Sequence, residues 1–174
     1  MNTSADLSTE RLVLHPVTLV EAERIHAKTP LPTDRWAADY PFDGDVAAIG
    51  SGLHGNKFSG APARWAYYQI RRRDDGLAIG GIGFFGPPDE NGHVEIGYGL
   101  AAGARGSGFA AEALTCMAAW ALNHGASAVD AETTPDNVAS QRTLGNAGFA
   151  LVAEDRTVLR YSLRGVSAGP ITGG

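Results

Sequence analysis

The stretch Arg105-Gly106-Ser107-Gly108-Phe109-Ala110 constrains this chain more than any other. It follows an alternating segment, His93 to Leu100, that reads as a strand. It opens a segment of helical period, Gly108 to Asn123, in which Ala110, Leu114, Met117 and Ala121 recur on one face. Two closely spaced glycines let successive amide N–H groups turn toward one point, and a helix N-terminus adds partial positive charge there. A pyrophosphate is the natural occupant of such a nest. A plain strand-to-helix turn has the same local pattern, so the loop alone leaves both readings open.

The elements around the loop define the class. Arg11 to His15 alternates and reads as a strand stopped by Pro16, and Thr18-Leu19-Val20-Glu21 has capping-box spacing, starting a helix toward Thr29. Asp34 to Asp45 is irregular and rich in aromatics, with a short helix near Val46–Leu53. Trp65 to Arg72 and Leu77 to Phe85 form a hairpin around Asp74-Asp75-Gly76, and the turn Pro87 to Gly92 leads into His93–Leu100. After the long helix come a strand (Ala128–Thr133), a helix (Asn137–Ala147, closed by Gly148) and a last strand (Leu159–Arg164). Antiparallel hairpins followed by a strand–helix–strand crossover imply an α+β fold with a mixed sheet containing one parallel pair. A length of 174 residues suits one domain, spanning 9–164, with 1–8 and the glycine-rich 165–174 as flexible termini.

Bulk properties exclude several classes. A net charge of -5 speaks against a nucleic-acid binder, which carries a basic face. The single Cys116 allows no internal disulfide and, with Met117, reads as core. The five histidines lack ligand spacing, so no metal is expected. The polar start MNTSADLS is neither a signal peptide nor a membrane span, which makes a cytoplasmic protein the expectation.

Two dinucleotide patterns need weighing. Gly81-Ile82-Gly83-Phe84-Phe85-Gly86 matches G-x-G-x-x-G, but Pro87-Pro88 stands where a helix should open. Gly106-Ser107-Gly108-Phe109-Ala110-Ala111 matches G-x-G-x-x-A and does open a helix, with acidic Asp130 and Glu132 near the next strand. Against it, Ala101 to Arg105 separate the strand from the first glycine, and hairpins precede the unit. A dinucleotide-dependent oxidoreductase stays as an alternative.

Val94-Glu95-Ile96-Gly97-Tyr98, followed by Arg105-Gly106-Ser107-Gly108-Phe109-Ala110-Ala111-Glu112-Ala113, resembles the central motif of the GNAT superfamily of N-acetyltransferases, with core Q/R-x-x-G-x-G/A. Asn137-Val138-Ala139-Ser140 with Leu144 and Gly148-Phe149 resembles the family's second motif, and Thr9-Glu10-Arg11-Leu12-Val13-Leu14 resembles the first strand of its RimJ/RimL-like branch. The resemblance runs from Thr9 to Arg164. It implies the GNAT fold, in which two parallel strands splay apart around the cofactor arm, flanked by helices. It implies acetyl-CoA as acetyl donor and a primary amine, a peptide N-terminus or a small molecule, as acceptor. Homodimers are common in that family. On the same ground Leu100 and Ala102 are expected to offer backbone groups to the pantetheine. Arg105, Gly106, Ser107, Gly108, Phe109 and Ala110 are expected to hold the pyrophosphate, and Asn137 and Ser140 to face the pantetheine near the thiol.

The resemblance also implies a proton-drawing role for Glu95, acting on the amine through water; the same residue reads equally as an ordinary strand glutamate. The burden on such a base depends on the acceptor. An α-amine of pKa near 8 costs about 1.4 kcal/mol to neutralise at pH 7, a lysine near 10.4 about 4.6 kcal/mol. This favours an N-terminal or small amine. Leu144 matches the place where many family members keep an acidic tyrosine, and leucine cannot donate a proton. Ser140, one helical turn earlier, is the remaining hydroxyl, though it and Asn137 also suit a helix start. Trp36, Tyr40 and Phe42, among Asp34, Asp39, Asp43 and Asp45, are candidates for acceptor contact or for pinning a loop. A catalytically silent acyl-CoA-binding module is the other alternative.

Overall fold

The computed structural model describes residues 5–58 and 65–165. Within them eight strands form one sheet in the order β1-β2-β3-β4-β5-β6-β8-β7, with β5 and β6 as the one parallel pair of strands. Four strands follow the expected hairpin logic: β2 (Leu12–Pro16), β3 (Tyr67–Arg72), β4 (Ala78–Phe84) and β5 (His93–Leu100) lie side by side and antiparallel. The rest of the sheet is β6 (Ala128–Thr133), β7 (Ala150–Glu154) and β8 (Leu159–Arg164).

Helices cover both faces. On one lie α1 (Leu19–Ala27) and α2 (Asp43–His54), joined through Val17, Ala22, Ile25, Ile49 and Phe58. The capping box at Thr18 is present: its hydroxyl accepts the Glu21 N–H, and the Glu21 carboxylate accepts the Thr18 N–H. On the other face lie α3 (Phe109–Asn123) and α4 (Val138–Asn146). Leu114, Met117 and Leu144 bury there against Leu14, Tyr68, Ile82 and Ile96, forming the main core.

Four features depart from the sequence reading. The first strand runs through Pro16, which stands opposite Tyr68 instead of ending the pairing. Leu7 and Ser8, expected in a loose terminus, form β1 on β2, with Leu7 opposite Leu14; residues 1–4 and 166–174 lie outside the described residues. The second helix starts at Asp43 because Asp45, its third residue, accepts the Phe42 N–H and caps the turn. The edge strand β7 was not foreseen. All five of its residues are exposed, so it carries no alternating apolar signal.

Candidate active site

The parallel contact is short. His93, Val94 and Glu95 pair with Ala128, Val129 and Asp130, and beyond Glu95 the two strands part. The Glu95 carbonyl accepts from Phe85 N–H and the Ala101 N–H donates to Ile79, so odd-numbered residues of β5 bond to β4. Strand alternation turns the N–H and C=O groups of Ile96, Tyr98 and Leu100 into the wedge opened toward β6. These are the groups that an extended ligand can join as a surrogate strand. The Leu100 carbonyl is already taken by Arg105 Nε at 3.0 Å.

From this wedge a groove of about 600 Å³ runs over the glycine loop, lined by Leu100, Arg105, Gly106, Gly108, Asn137 and Ser140. Phe109 and Ala110 also border it. Gly106 and Gly108 both have positive φ, +81° and +79°, which is why a side-chain-free residue is needed there. Gly108 is the N-cap of α3, so the first amides of a fifteen-residue helix point into the groove. Ser107 turns away, its carbonyl accepting from Arg11 Nη1 at 2.8 Å. Ala102 sits exposed in a single 3₁₀ turn, Ala102–Ala104, and does not line the groove.

The loop is held from behind. Arg11 pairs with Glu112 at 2.7 Å and stacks its guanidinium 4.7 Å from the Phe109 ring centre. Glu112 also accepts from the Thr9 hydroxyl at 2.5 Å and the Arg11 N–H at 2.8 Å. Burial pushes the Glu112 carboxyl up, but these bonds from Thr9 and Arg11 together hold it below its ordinary range. The Thr9–Leu14 motif therefore fixes the start of α3 as well as the first strand.

At the throat of the groove Tyr98 Oη lies 2.9 Å from Ser140 Oγ and donates to the Ser140 carbonyl at 3.3 Å. This hydroxyl pair spans the wedge from β5 to α4. Leu144 is fully buried in the core and carries no proton donor. Asn137 acts as the α4 N-cap, its side chain accepting the Ser140 N–H at 3.1 Å; it holds Ser140 in place while bordering the groove.

On the α1–α2 face a second cavity, about 260 Å³, adjoins the groove through Phe42, Tyr98 and Gly99. Its floor is made of glycines: Gly81 pairs with Gly99, and Gly83 with Gly97. A Cβ at Gly81 would fall on the Tyr67 hydroxyl and one at Gly99 on the Phe42 ring. The Gly81-x-Gly83 pattern thus clears space above the sheet and holds no nucleotide. Asp45, 2% exposed, borders this cavity. One of its oxygens accepts from Tyr67 Oη at 2.6 Å, the other from Phe42 N–H at 3.3 Å. Burial raises its carboxyl and these two bonds pull it partly back, to about 6.

The structure brings together Leu100, Arg105, Gly106, Gly108, Phe109, Ala110, Asn137, Ser140 and Phe42, but not every residue singled out in the sequence. Trp36 and Tyr40 do not line the cavity. Trp36 bridges to Ala78, and Tyr40 packs edge-on against it while accepting from Gln69 Nε2 at 3.2 Å, so both pin the loop. Glu95 is exposed and faces a separate cavity with Asp130 and Glu132; Phe85 stands between that cavity and the glycine floor. Burial first, then the nearby Glu132 and Asp130 carboxylates, raise the Glu95 carboxyl. Two residues escaped the sequence reading. Tyr98 stood inside the central motif only three places after Glu95, and Asp45 was one of four aspartates in the 34–45 stretch, marked only by its capping distance from Phe42.

A sheet opened by one splayed parallel pair, with a positive-φ glycine loop and a helix start at one end of the wedge and a small cavity across it, is the frame of an acyl-carrier-dependent transferase. Residues 11–150 match the family model described as the acetyltransferase (GNAT) domain, and the chain belongs to that family. The 3₁₀ turn between β5 and Gly106, together with the antiparallel β4–β5 pairing, departs from the dinucleotide-binding turn, and the oxidoreductase alternative falls with it. The chain is 40% identical over 83 residues to the uncharacterized N-acetyltransferase YjdG of Bacillus subtilis (strain 168); the match covers 47% of this chain and about half, 49%, of that relative. In structure it resembles the ribosomal-protein-S5-alanine acetyltransferase of Vibrio fischeri, with a TM-score of 0.68 and 14% identity over 96% of this chain and 100% of the other. It also resembles Mycobacterium smegmatis RimJ in complex with a CoA disulfide, with a TM-score of 0.63 and 20% identity over 88% and 81% of the two chains. Among the described residues no helix is long and apolar enough to cross a membrane, and no cluster of His, Cys, Asp and Glu suits a metal ion.

Proposed function

We propose that the chain is an N-acetyltransferase that moves the acetyl group of acetyl-CoA to a primary amine, on a small molecule or a peptide N-terminus. The observation that carries this reading is the wedge beyond Glu95, with β5 backbone groups joined to no neighbouring strand on one side and the Gly106–Gly108 loop at its end. These residues suit the donor: Ile96, Tyr98 and Leu100 offer backbone groups to its amide-bearing arm, and the loop amides with the α3 N-terminus take its diphosphate charge. Acetyl-CoA supplies an acetyl group activated as a thioester.

The chain's own residues handle the protons. Ser140 Oγ, hydrogen-bonded to Tyr98 Oη, stands where a departing thiolate needs a proton, doing from α4 and β5 together what the buried Leu144 cannot. The Glu95 carboxylate, raised by burial and by its acidic neighbours, takes the proton that the acceptor nitrogen gives up, through water from its side of Phe85. The acceptor enters over the glycine floor, next to Phe42 and Gly99. The likeness to an enzyme named for a ribosomal protein supports a protein N-terminus as one acceptor; the small cavity supports a free amine as another.

Two measurements test the reading. Acetyl-CoA, but not NAD or NADP, raises the melting temperature, because a ligand that binds only the folded state stabilises it. Release of free thiol from acetyl-CoA then accompanies at least one member of a panel of primary amines. Protection by acetyl-CoA with no thiol release from any amine would leave only a silent acyl-CoA-binding module.

A further inference from the structure

Asp45 is the feature that the acetyl-transfer reading leaves unused. Buried carboxylates normally pair with a cation, because desolvating an unpaired charge is costly. Asp45 is buried on α2, yet among the described residues no lysine, arginine or histidine forms an ion pair with it. The titratable groups around it are Tyr67 on β3, which donates to it, Tyr40 in the preceding loop, and Lys57 at the cavity rim. Lys57 also lines the cavity, its ammonium donating to the Phe85 carbonyl at 2.6 Å.

The surroundings of this carboxyl are mostly apolar. Phe42, Phe58, Tyr67 and Phe85 line the cavity over its glycine floor, together with Ser51 and Lys57, and among the described residues Asp45 is the one acidic residue on it. The Tyr67 hydroxyl bonded to Asp45 lies over Gly81, and Gly81 is paired with Gly99, which borders both the cavity and the donor groove. Adjacent strands run about 4.8 Å apart, so the carboxyl stands beside the throat.

Resting on the proposed acetyl transfer, we infer that Asp45 anchors the acceptor: the cavity takes a primary amine borne on a compact apolar body, and Asp45 holds its ammonium. A volume of about 260 Å³ suits a small arylalkylamine or one apolar N-terminal residue. Asp45 is thereby an acceptor-recognition residue, distinct from Glu95 in the cavity beyond Phe85.

The test compares thiol release from acetyl-CoA with 2-phenylethylamine, a tripeptide beginning with phenylalanine, and ethanolamine as the polar control. The better of the first two identifies the source of the amine; ethanolamine used as efficiently as either overturns the apolar body. Asp45→Asn is expected to raise the amine KM about 10- to 150-fold, the range of a charge-assisted hydrogen bond, with kcat within threefold. Glu95→Gln lowers kcat instead. The wild-type advantage over Asp45→Asn shrinks about tenfold between pH 7 and pH 5, as the carboxyl at about 6 takes up a proton. Should the Asn variant fail to fold, Tyr67→Phe removes a hydrogen bond that lowers the Asp45 carboxyl without touching the α2 cap, so the rise in KM on acidification moves to higher pH. An unchanged acid limb in Tyr67→Phe, or a folded Asp45→Asn enzyme with wild-type KM and pH profile, overturns the inference while leaving acetyl transfer standing. Acetyl-CoA protection with no turnover of any amine overturns the transfer reading itself, and the anchor with it.

Discussion

Replacing Gly108 by valine probes the donor site where backbone geometry and ligand binding coincide. Its φ of +79° lies in the left-handed region, which costs a side-chain-bearing residue about 1–2 kcal/mol, and a β-branched one most. No steric clash adds to this, since a Cβ there meets only Arg11 Nη2 at 3.5 Å, an ordinary contact. A domain of this size loses about 2–4 °C per kcal/mol, so the ligand-free variant melts about 2–8 °C lower and still folds. The larger effect falls on the ligand. If the chain relieves the strain by rotating the peptide at 108, at least one loop amide leaves the groove. Losing one hydrogen bond to a charged oxygen costs about 1.5–3 kcal/mol, or roughly 10- to 150-fold in affinity. At an acetyl-CoA concentration of about 100 times the wild-type Kd, protection of about 2.7 kcal/mol falls to about 0.4 kcal/mol for a 100-fold loss. Differential scanning fluorimetry with and without acetyl-CoA reads both quantities. Gly108→Asn is the control, because asparagine tolerates the left-handed region and keeps the loop in shape. A Gly108→Val protein with wild-type protection refutes the loop as the diphosphate site.

Further outcomes follow from other parts of the molecule. Ser140→Ala slows transfer about five- to 150-fold with little loss of acetyl-CoA affinity, and Tyr98→Phe in that background adds little if the two hydroxyls act as one unit; stopped-assay turnover with isothermal titration of acetyl-CoA checks this, and an alanine variant that binds weakly but turns over normally makes Ser140 a mere contact. Gly145→Ala stabilises the fold by about 0.5–1 kcal/mol, because nothing lies within 4 Å of the new methyl on this helical position; a lower midpoint in urea would contradict it. Burial raises the Glu21 carboxyl, but bonds from His15 and Thr18 outweigh it and bring it to about 2, so its stabilisation is complete above the ordinary value near 4.5 and is lost as pH falls toward 2. Glu21→Gln should therefore flatten the acid limb of a stability–pH curve between those values, and an unaltered limb would place the acid sensitivity elsewhere.

The fold was legible where local chemistry and periodicity agreed. His93–Leu100 and Ala128–Thr133 have the bounds that their alternation indicates, and the Thr18 box marks its helix because two reciprocal hydrogen bonds need that spacing. The edge strand β7 was illegible because an exposed strand owes its place to pairing with β8, not to its own pattern. The groove over the glycine loop was similarly readable as a shape: positive-φ glycines and a helix start leave a mark in sequence. The acceptor side was not, because its parts are collected by the sheet from remote segments. Nothing near Asp45 announces that Tyr67, twenty-two residues on, will bury it, or that Gly81 and Gly99 will meet beneath them. Trp36 and Tyr40 stayed open between two readings for the same reason: an aromatic in a loop serves a cavity or a core with identical local sequence.

The Thr9–Arg11–Glu112 latch also dictates an order of assembly. It joins groups 101 residues apart, and closing so long a loop carries an entropic cost of about 4 kcal/mol beyond the constant for any closure. The glycine loop is thus synthesised long after the segment that braces it, and the bracing contact waits until the intervening strands have docked. Competence to bind the donor then arrives late on the folding route, with the closing of the chain's beginning onto its third helix. A nascent chain stalled before Glu112 lacks the brace of the glycine loop, and capture by immobilised CoA tests whether the completed brace is needed for the proposed donor site. Deleting the segment through Arg11 should abolish that capture while most of the sheet still forms.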